Sequence, residues 1–198
     1  MNILVLTSSR ADYGIYLPLL KRLNNDRFFN LKIAAFGTHL SEEYGKTIDH
    51  IIKDGFEVEY RIQTVLGSDS PEMITKSMAL TMQKFSEIWT LEKSELGYII
   101  CLGDRYEMFA AVAGSVPFNI PIAHIHGGET TLGAIDNAFR HSLTAMSKLH
   151  FVSTQNHAER VIQITGTRQG VYNVGALSLD NLNDIEILSK DSFEKKFG

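Results

Sequence analysis

Short apolar runs rich in β-branched residues recur along the chain, at Ile3–Thr7, Leu31–Phe36, Tyr98–Leu102, Ile120–His124 and His150–Val152. Each has the length and apolarity of a strand buried on both faces, as a parallel sheet requires. Between these runs, apolar residues return at helical spacing. Tyr16, Leu19, Leu20 and Leu23 make one stripe, and Ile48, Ile51 and Ile52 make another. The longest predicted helix follows Ser70-Pro71, a capping serine ahead of a proline at the first helical position, and runs through Met73, Met78, Phe85, Ile88 and Trp89. The stretch Gly67–Ser70 before it reads as a surface loop. Strand–helix alternation predicts an α/β fold, a parallel sheet with helices on both faces. Asn173-Val174-Gly175 reads as a last short strand. Ser189–Phe197 reads as a short charged helix capped by Ser189, with its packing partners expected beyond Gly198.

Composition narrows the picture. The 198 residues carry 19 Lys and Arg against 23 Asp and Glu, a formal charge of −4, and 44% of them are hydrophobic. That mixture belongs to a globular chain, not to a disordered one. The acidic balance speaks against nucleic acid as a partner. No apolar run approaches the ~20 residues of a membrane-spanning helix, and the opening apolar segment is too short for a secretory signal. A single cysteine, Cys101, cannot form an internal disulfide, so a cytoplasmic location is expected.

In an open parallel sheet, ligands bind beyond the carboxyl ends of the strands. The residues that follow the predicted strands are therefore the candidates. Thr7-Ser8-Ser9-Arg10-Ala11-Asp12-Tyr13-Gly14 is a small polar turn with Arg10 at a helix entrance, suited to a phosphate or serving simply as a capped loop. There is neither a Walker lysine pattern nor a Gly-x-Gly-x-x-Gly cradle. Gly37-Thr38-His39-Leu40 follows the second run. Gly103-Asp104-Arg105-Tyr106-Glu107 follows Tyr98–Leu102, where Asp104 is either a helix cap or a site carboxylate. His124-Ile125-His126-Gly127-Gly128-Glu129-Thr130-Thr131 follows next, with Asp136 and Arg140 downstream. Two histidines at i and i+2 on a strand share a face as metal ligands can, or are one buried and one loop histidine. Gathered at one sheet edge, Arg10, His39, Asp104, Arg105, His126, Glu129, Asp136 and Arg140 suit acid–base chemistry on a phosphorylated or nucleotide-bearing substrate.

These same phrases, with Arg140-His141-Ser142 downstream, resemble the hydrolysing UDP-N-acetylglucosamine 2-epimerases of bacterial sialic and legionaminic acid synthesis. The resemblance runs from Met1 to about Leu182, and His124–Glu129 followed by Thr131-Leu132-Gly133-Ala134-Ile135-Asp136 is its most specific stretch. It implies a Rossmann-like domain at residues 1–182, the N-terminal half of a GT-B-type two-domain fold. Residues 183–198 would then be a connector and the first helix of a C-terminal domain. The implied reaction removes the sugar C2 proton and expels UDP from C1 to give a 2-acetamidoglucal. Water then adds at C1 and a proton returns to the opposite face of C2. The products would be N-acetylmannosamine and UDP; for the UDP-N,N'-diacetylbacillosamine relatives, the corresponding sugar. No metal or redox cofactor is implied.

Residue by residue, Arg10 would contact the diphosphate, and Arg105 and His39 would line the substrate pocket. Asp104 and Asp136 would serve acid–base or substrate-ordering roles, and Arg140 would orient a carboxylate or the sugar. His126 stands where much of the wider family has a catalytic glutamate, so the second acid–base group is either His126 or Glu129. An imidazole ordinarily titrates at about pH 6.5 and can do either half of the proton work. The expected partner is a UDP-sugar. A homo-oligomer is expected of the full-length enzyme, with the apolar stripe of the Pro71–Trp89 helix as a candidate contact, and residues 1–198 alone are expected to fold without turnover. Two other classes compete: a metal-dependent hydrolase using His124, His126 and a carboxylate, and a non-catalytic nucleotide-binding domain.

Overall fold

The computed structural model describes residues 1–131, 135–184 and 188–197. Seven strands, all paired in parallel, form one sheet: β1 (Asn2–Thr7), β2 (Asn30–Phe36), β3 (Tyr60–Ile62), β4 (Leu96–Leu102), β5 (Ile122–Ile125), β6 (Leu149–Val152) and β7 (Val171–Asn173). Their order is β3-β2-β1-β4-β5-β6-β7. Because every pair is parallel, all the strand-to-helix loops leave from the same edge. The order reverses between β1 and β4, and the crevice outside that switch point is where such sheets bind ligands.

Alternation along the strands divides the core in two. Leu4 and Leu6 of β1 face α3 (Pro71–Glu92), α4 (Tyr106–Ala113) and α5 (Asp136–Met146), meeting Phe85, Trp89, Met108 and Leu143. Ile3 and Val5 face α1 (Arg10–Asn25) and α2 (Ile48–Lys53), meeting Tyr16, Leu20, Leu23, Ile48 and Ile51. Of the α3 stripe, Phe85, Ile88 and Trp89 are packed inside the chain, while Met73 and Met78 stay partly exposed. The start of α3 is as read from sequence, since Ser70 accepts the backbone N–H of Met73 with Pro71 in the first turn.

Several strands depart from the sequence reading, and β4 begins at Leu96, two positions before the run read from Tyr98. β5 begins at Ile122 instead of Ile120, because Pro121 has no N–H to give the ladder, although its carbonyl still accepts from Ile99 at 2.9 Å. The last strand is Val171–Asn173, two positions earlier than read. β3 has no apolar run to announce it; only Ile62 of its three residues is buried. Beyond β7, a 3-10 segment at Leu177–Asp184 returns over α1, where Asn181 Nδ2 donates to the Gly14 carbonyl at 2.9 Å. The terminal helix α7 (Lys190–Phe197) is capped by Ser189, which accepts from the Ser192 N–H at 3.2 Å. No helix among the described residues is long and apolar enough to cross a membrane.

Candidate active site

The β1–α1 loop is organised from within. Asp12 accepts hydrogen bonds from the Ser8 N–H at 2.7 Å, the Ser8 hydroxyl at 2.8 Å, the Ser9 N–H at 2.9 Å and the Thr7 hydroxyl at 2.8 Å. Ser9 caps α1 and forms a reciprocal capping box with Asp12. The loop is capped, and the cap leaves Arg10 exposed at the first helical position. His39 lies beneath, with no exposed surface, its Nε2 2.9 Å from Thr7 Oγ1 and its Nδ1 2.8 Å from Thr47 Oγ1. The Thr7 hydroxyl already donates to Asp12, so Nε2–H donates to Thr7 and Thr47 donates to Nδ1. Burial lowers the His39 pKa against the pull of Asp12, which keeps this ring neutral. Gly37 allows the β1 and β2 loops to touch: its φ is +59°, and a Cβ there would sit 2.5 Å from the Ser8 carbonyl oxygen.

Across the switch point, Arg105 stands at the N-cap of α4 without capping it by its side chain. Its guanidinium instead forks onto Glu107, at 3.2 Å from Nε and 2.8 Å from Nη2. Glu107 is fully buried, so this fork neutralises an otherwise uncompensated carboxylate while 43% of the Arg105 side chain stays exposed. Asp104 is no cap either. It accepts from Nη2 of Arg140, which reaches over from α5.

Arg140 is 7% exposed and binds three acceptors from two loops, those after β4 and β5. Besides Asp104, its Nη1 meets Glu129 Oε2 at 3.0 Å and the His126 carbonyl at 3.2 Å. The Glu129 Oε1 atom is 2.6 Å from His126 Nδ1 and accepts the Ser153 hydroxyl at 2.7 Å. Burial alone would raise the Glu129 pKa, but the His126 and Ser153 hydrogen bonds and the charges of His126 and Arg140 bring it down to about 2. Glu129 is therefore an acceptor only. The His126 proton must sit on Nδ1, which leaves Nε2 as the atom able to take or return a proton. Asp136 moves the other way: burial, then the charge of Asp104, raise its pKa. The two carboxyl groups are thus pushed in opposite directions, Glu129 held ionised beside His126 and Asp136 towards its protonated form.

The backbone at this turn is unusual. His126 has φ +63°, a left-handed conformation uncommon outside glycine. The strand alternation ends at Ile125, so His124 and His126 do not act as a strand-borne pair. His124 is fully buried, with Nε2 2.9 Å from the Gly103 carbonyl and Nδ1 3.2 Å from Thr144 Oγ1. Burial takes its pKa down to about 3, and both ring nitrogens are committed. It anchors the loop that carries Asp104. Among the described residues no group of three His, Cys, Asp or Glu is placed to hold a metal. Residues 132–134 of the most specific sequence stretch lie outside the described residues. Ser153 and His157, which sequence reasoning missed, complete the cluster: Ser153 Oγ is 2.8 Å from His157 Nδ1. Their signal was position, since Ser153 follows β6 as Asp104 follows β4.

The family model described as UDP-N-acetylglucosamine 2-epimerase matches residues 21–197. The chain is 36% identical to the polysialic acid biosynthesis protein P7 of Escherichia coli, over 100% of this chain and 50% of that protein. It is 35% identical to the GDP/UDP-N,N'-diacetylbacillosamine 2-epimerase (hydrolyzing) of Campylobacter jejuni, over 98% of this chain and 50% of that one. The chain thus spans about half the length of the curated relatives it matches. In fold it is similar to the UDP-GlcNAc 2-epimerase of Neisseria meningitidis, solved bound to UDP-GlcNAc, with TM-score 0.77 and 18% identity over 100% of this chain and 53% of that structure. From its sequence relatives and its fold together, the chain belongs to the UDP-N-acetylglucosamine 2-epimerase family.

Proposed function

We propose that this chain supplies the acid–base half of a hydrolysing UDP-N-acetylglucosamine 2-epimerase, releasing N-acetylmannosamine and UDP for sialic acid synthesis, with residues 1–182 as its N-terminal domain. The observation that carries the reading is the cluster joined by Arg140, in which Asp104, Glu129 and His126 meet beside the switch point. Epimerisation at C2 needs one group to remove a proton and another to return one to the opposite face. His126 Nε2, oriented through Nδ1 by an ionised Glu129, serves as one. Asp136, with its raised pKa, serves as the other, and Asp104 orders the sugar. The electron pair left at C2 forms the C1–C2 double bond as the C1–O bond to UDP breaks. Arg10 and the outer face of Arg105 receive the departing diphosphate charge. Water then adds its oxygen to C1 while C2 gains a proton on the other face.

A second substrate has a specific observation in its favour. The Campylobacter relative, named for UDP-N,N'-diacetylbacillosamine, is nearly as similar as the Escherichia coli one. The two sugars share the 2-acetamido group and UDP and differ at C4 and C6. The test is to incubate the complete protein carrying these residues with each UDP-sugar and identify the sugar released. A free 2-epimer with stoichiometric UDP supports the reading, and the sugar consumed fixes the substrate. No release from either, in a folded protein, overturns it.

A further inference from the structure

The turn His126–Glu129 is held from one side by Arg140 and from the other by the entrance of α6 (Gln155–Thr165). The His126 N–H donates to the Phe151 carbonyl of β6 at 3.0 Å. Gly128, at φ +76°, lies so close to α6 that a Cβ would sit 2.4 Å from the His157 carbonyl oxygen. Ser153 and His157 project from this same entrance, and neither has a place in the reaction as derived above.

Their hydrogen bonds have only one consistent direction. Ionised Glu129 can only accept, so the Ser153 hydroxyl proton points to Glu129 Oε1 at 2.7 Å. With that proton committed, Ser153 Oγ must accept from His157, 2.8 Å away, and His157 carries its proton on Nδ1. His126 Nδ1–H arrives at the same Oε1 from the other side at 2.6 Å. The result is a directed chain from His157 through Ser153 to Glu129, met by His126. Oε2 is meanwhile fixed by Arg140 at 3.0 Å.

We propose that Ser153 and His157 are positioning residues for the proton-transfer pair: His157 orients the Ser153 hydroxyl, and Ser153 fixes the Glu129 oxygen that holds the His126 ring with Nε2 towards the substrate. The assignment of His126 to proton transfer rests on the epimerase reading; the hydrogen-bond chain does not. The relay is one of orientation, because a carboxylate held as Glu129 is does not take up the proton.

Two readouts separate these levels. Long-range 1H–15N correlation spectra of the 198-residue chain report which ring nitrogen of each histidine is protonated. In the unmodified chain His126 and His157 should both show the Nδ1–H tautomer. Ser153→Ala should return His157 to the mixed tautomers of a free imidazole, and Ser153→Thr, which keeps the hydroxyl, should restore the single form. An Nε2–H tautomer at either histidine in the unmodified chain, or a His157 spectrum indifferent to Ser153→Ala, overturns the proposal whatever the protein catalyses. In the complete protein, Ser153→Ala should lower kcat about tenfold with KM unchanged, as expected for one charge-assisted hydrogen bond felt in the transition state. Ser153→Thr should recover it. An equal fall in both variants, or a change in KM alone, contradicts a positioning role. If no UDP-sugar is turned over, the epimerase reading fails while the tautomers still decide the chain.

Discussion

Two polar clusters sit on the same sheet edge and are built from the same residue types, yet they differ in kind. The one under β1 and β2 joins Thr7, Ser8, Asp12, His39 and Thr47, all nearly inaccessible. Each of its donors has an acceptor close by in the fold, and its histidine is neutral by burial. The one beyond β4, β5 and β6 joins Asp104, His126, Glu129, Arg140, Ser153 and His157. There Asp104 and Glu129 are partly exposed, the backbone is left-handed at His126, and the Glu129 pKa is lowered while that of nearby Asp136 is raised. Polar residues at the carboxyl edge are therefore not by themselves a site. Exposure joined to unequal titration is the ground on which we propose the second cluster, and not the first, as the site.

The comparison breaks most sharply at Asp12. Asp12→Ala removes an acceptor from two hydroxyls and three backbone N–H groups, leaving buried donors unpaired. It should cost about 3–5 kcal/mol of stability in urea unfolding. A loss under about 1 kcal/mol would mean the buried cluster is not a scaffold.

A smaller effect is expected at Arg10, which is exposed and has no side-chain hydrogen bond or ion pair among the described residues. Arg10→Ala should weaken UDP binding by the complete protein by about 1.5–3 kcal/mol, read by calorimetry, with the urea midpoint unmoved. Unchanged UDP affinity would place Arg10 outside the site.

The gentlest test is acid. His124 falls from its ordinary 6.5 to about 3 in the fold, so between these values the unfolded chain binds the extra proton. Stability is then complete above pH 6.5 and declines as pH falls towards 3. Glu129, lowered from 4.5 to about 2, adds a loss of the same sign at lower pH. Unfolding free energies measured from pH 7 to about 4 should fall, and His124→Asn should flatten the upper part of that slope. A slope unchanged in His124→Asn would show that this ring is not held neutral in the fold.

Much of the scaffold was legible because long apolar runs leave few alternatives: β1, β2 and β4 lie where their sequences put them. Tyr60–Ile62 was not legible, since a three-residue strand exists only because β2 offers it an edge. Asp104 was ambiguous for a similar reason: its arginine partner arrives from α5, a tertiary event no local pattern shows. His126 in a left-handed turn ran against the alternation that its i, i+2 spacing suggested. Ser153 and His157 flank an ordinary helix cap, Thr154 accepting from the His157 N–H, so nothing local in the sequence marks them. Side-chain identity marked the edge; only packing sorted its members into scaffold and site.

The central claim is that His126, held by Glu129, moves the C2 proton. It is tested most directly by running the complete protein in D2O with its UDP-sugar and measuring deuterium at C2 of the released sugar. The unmodified protein should incorporate deuterium with turnover. His126→Gln, which keeps a hydrogen-bonding side chain but cannot titrate, should slow that incorporation by about 10²–10⁴ while the urea midpoint stays in place. Deuterium entering C2 at an undiminished rate in folded His126→Gln would contradict the account.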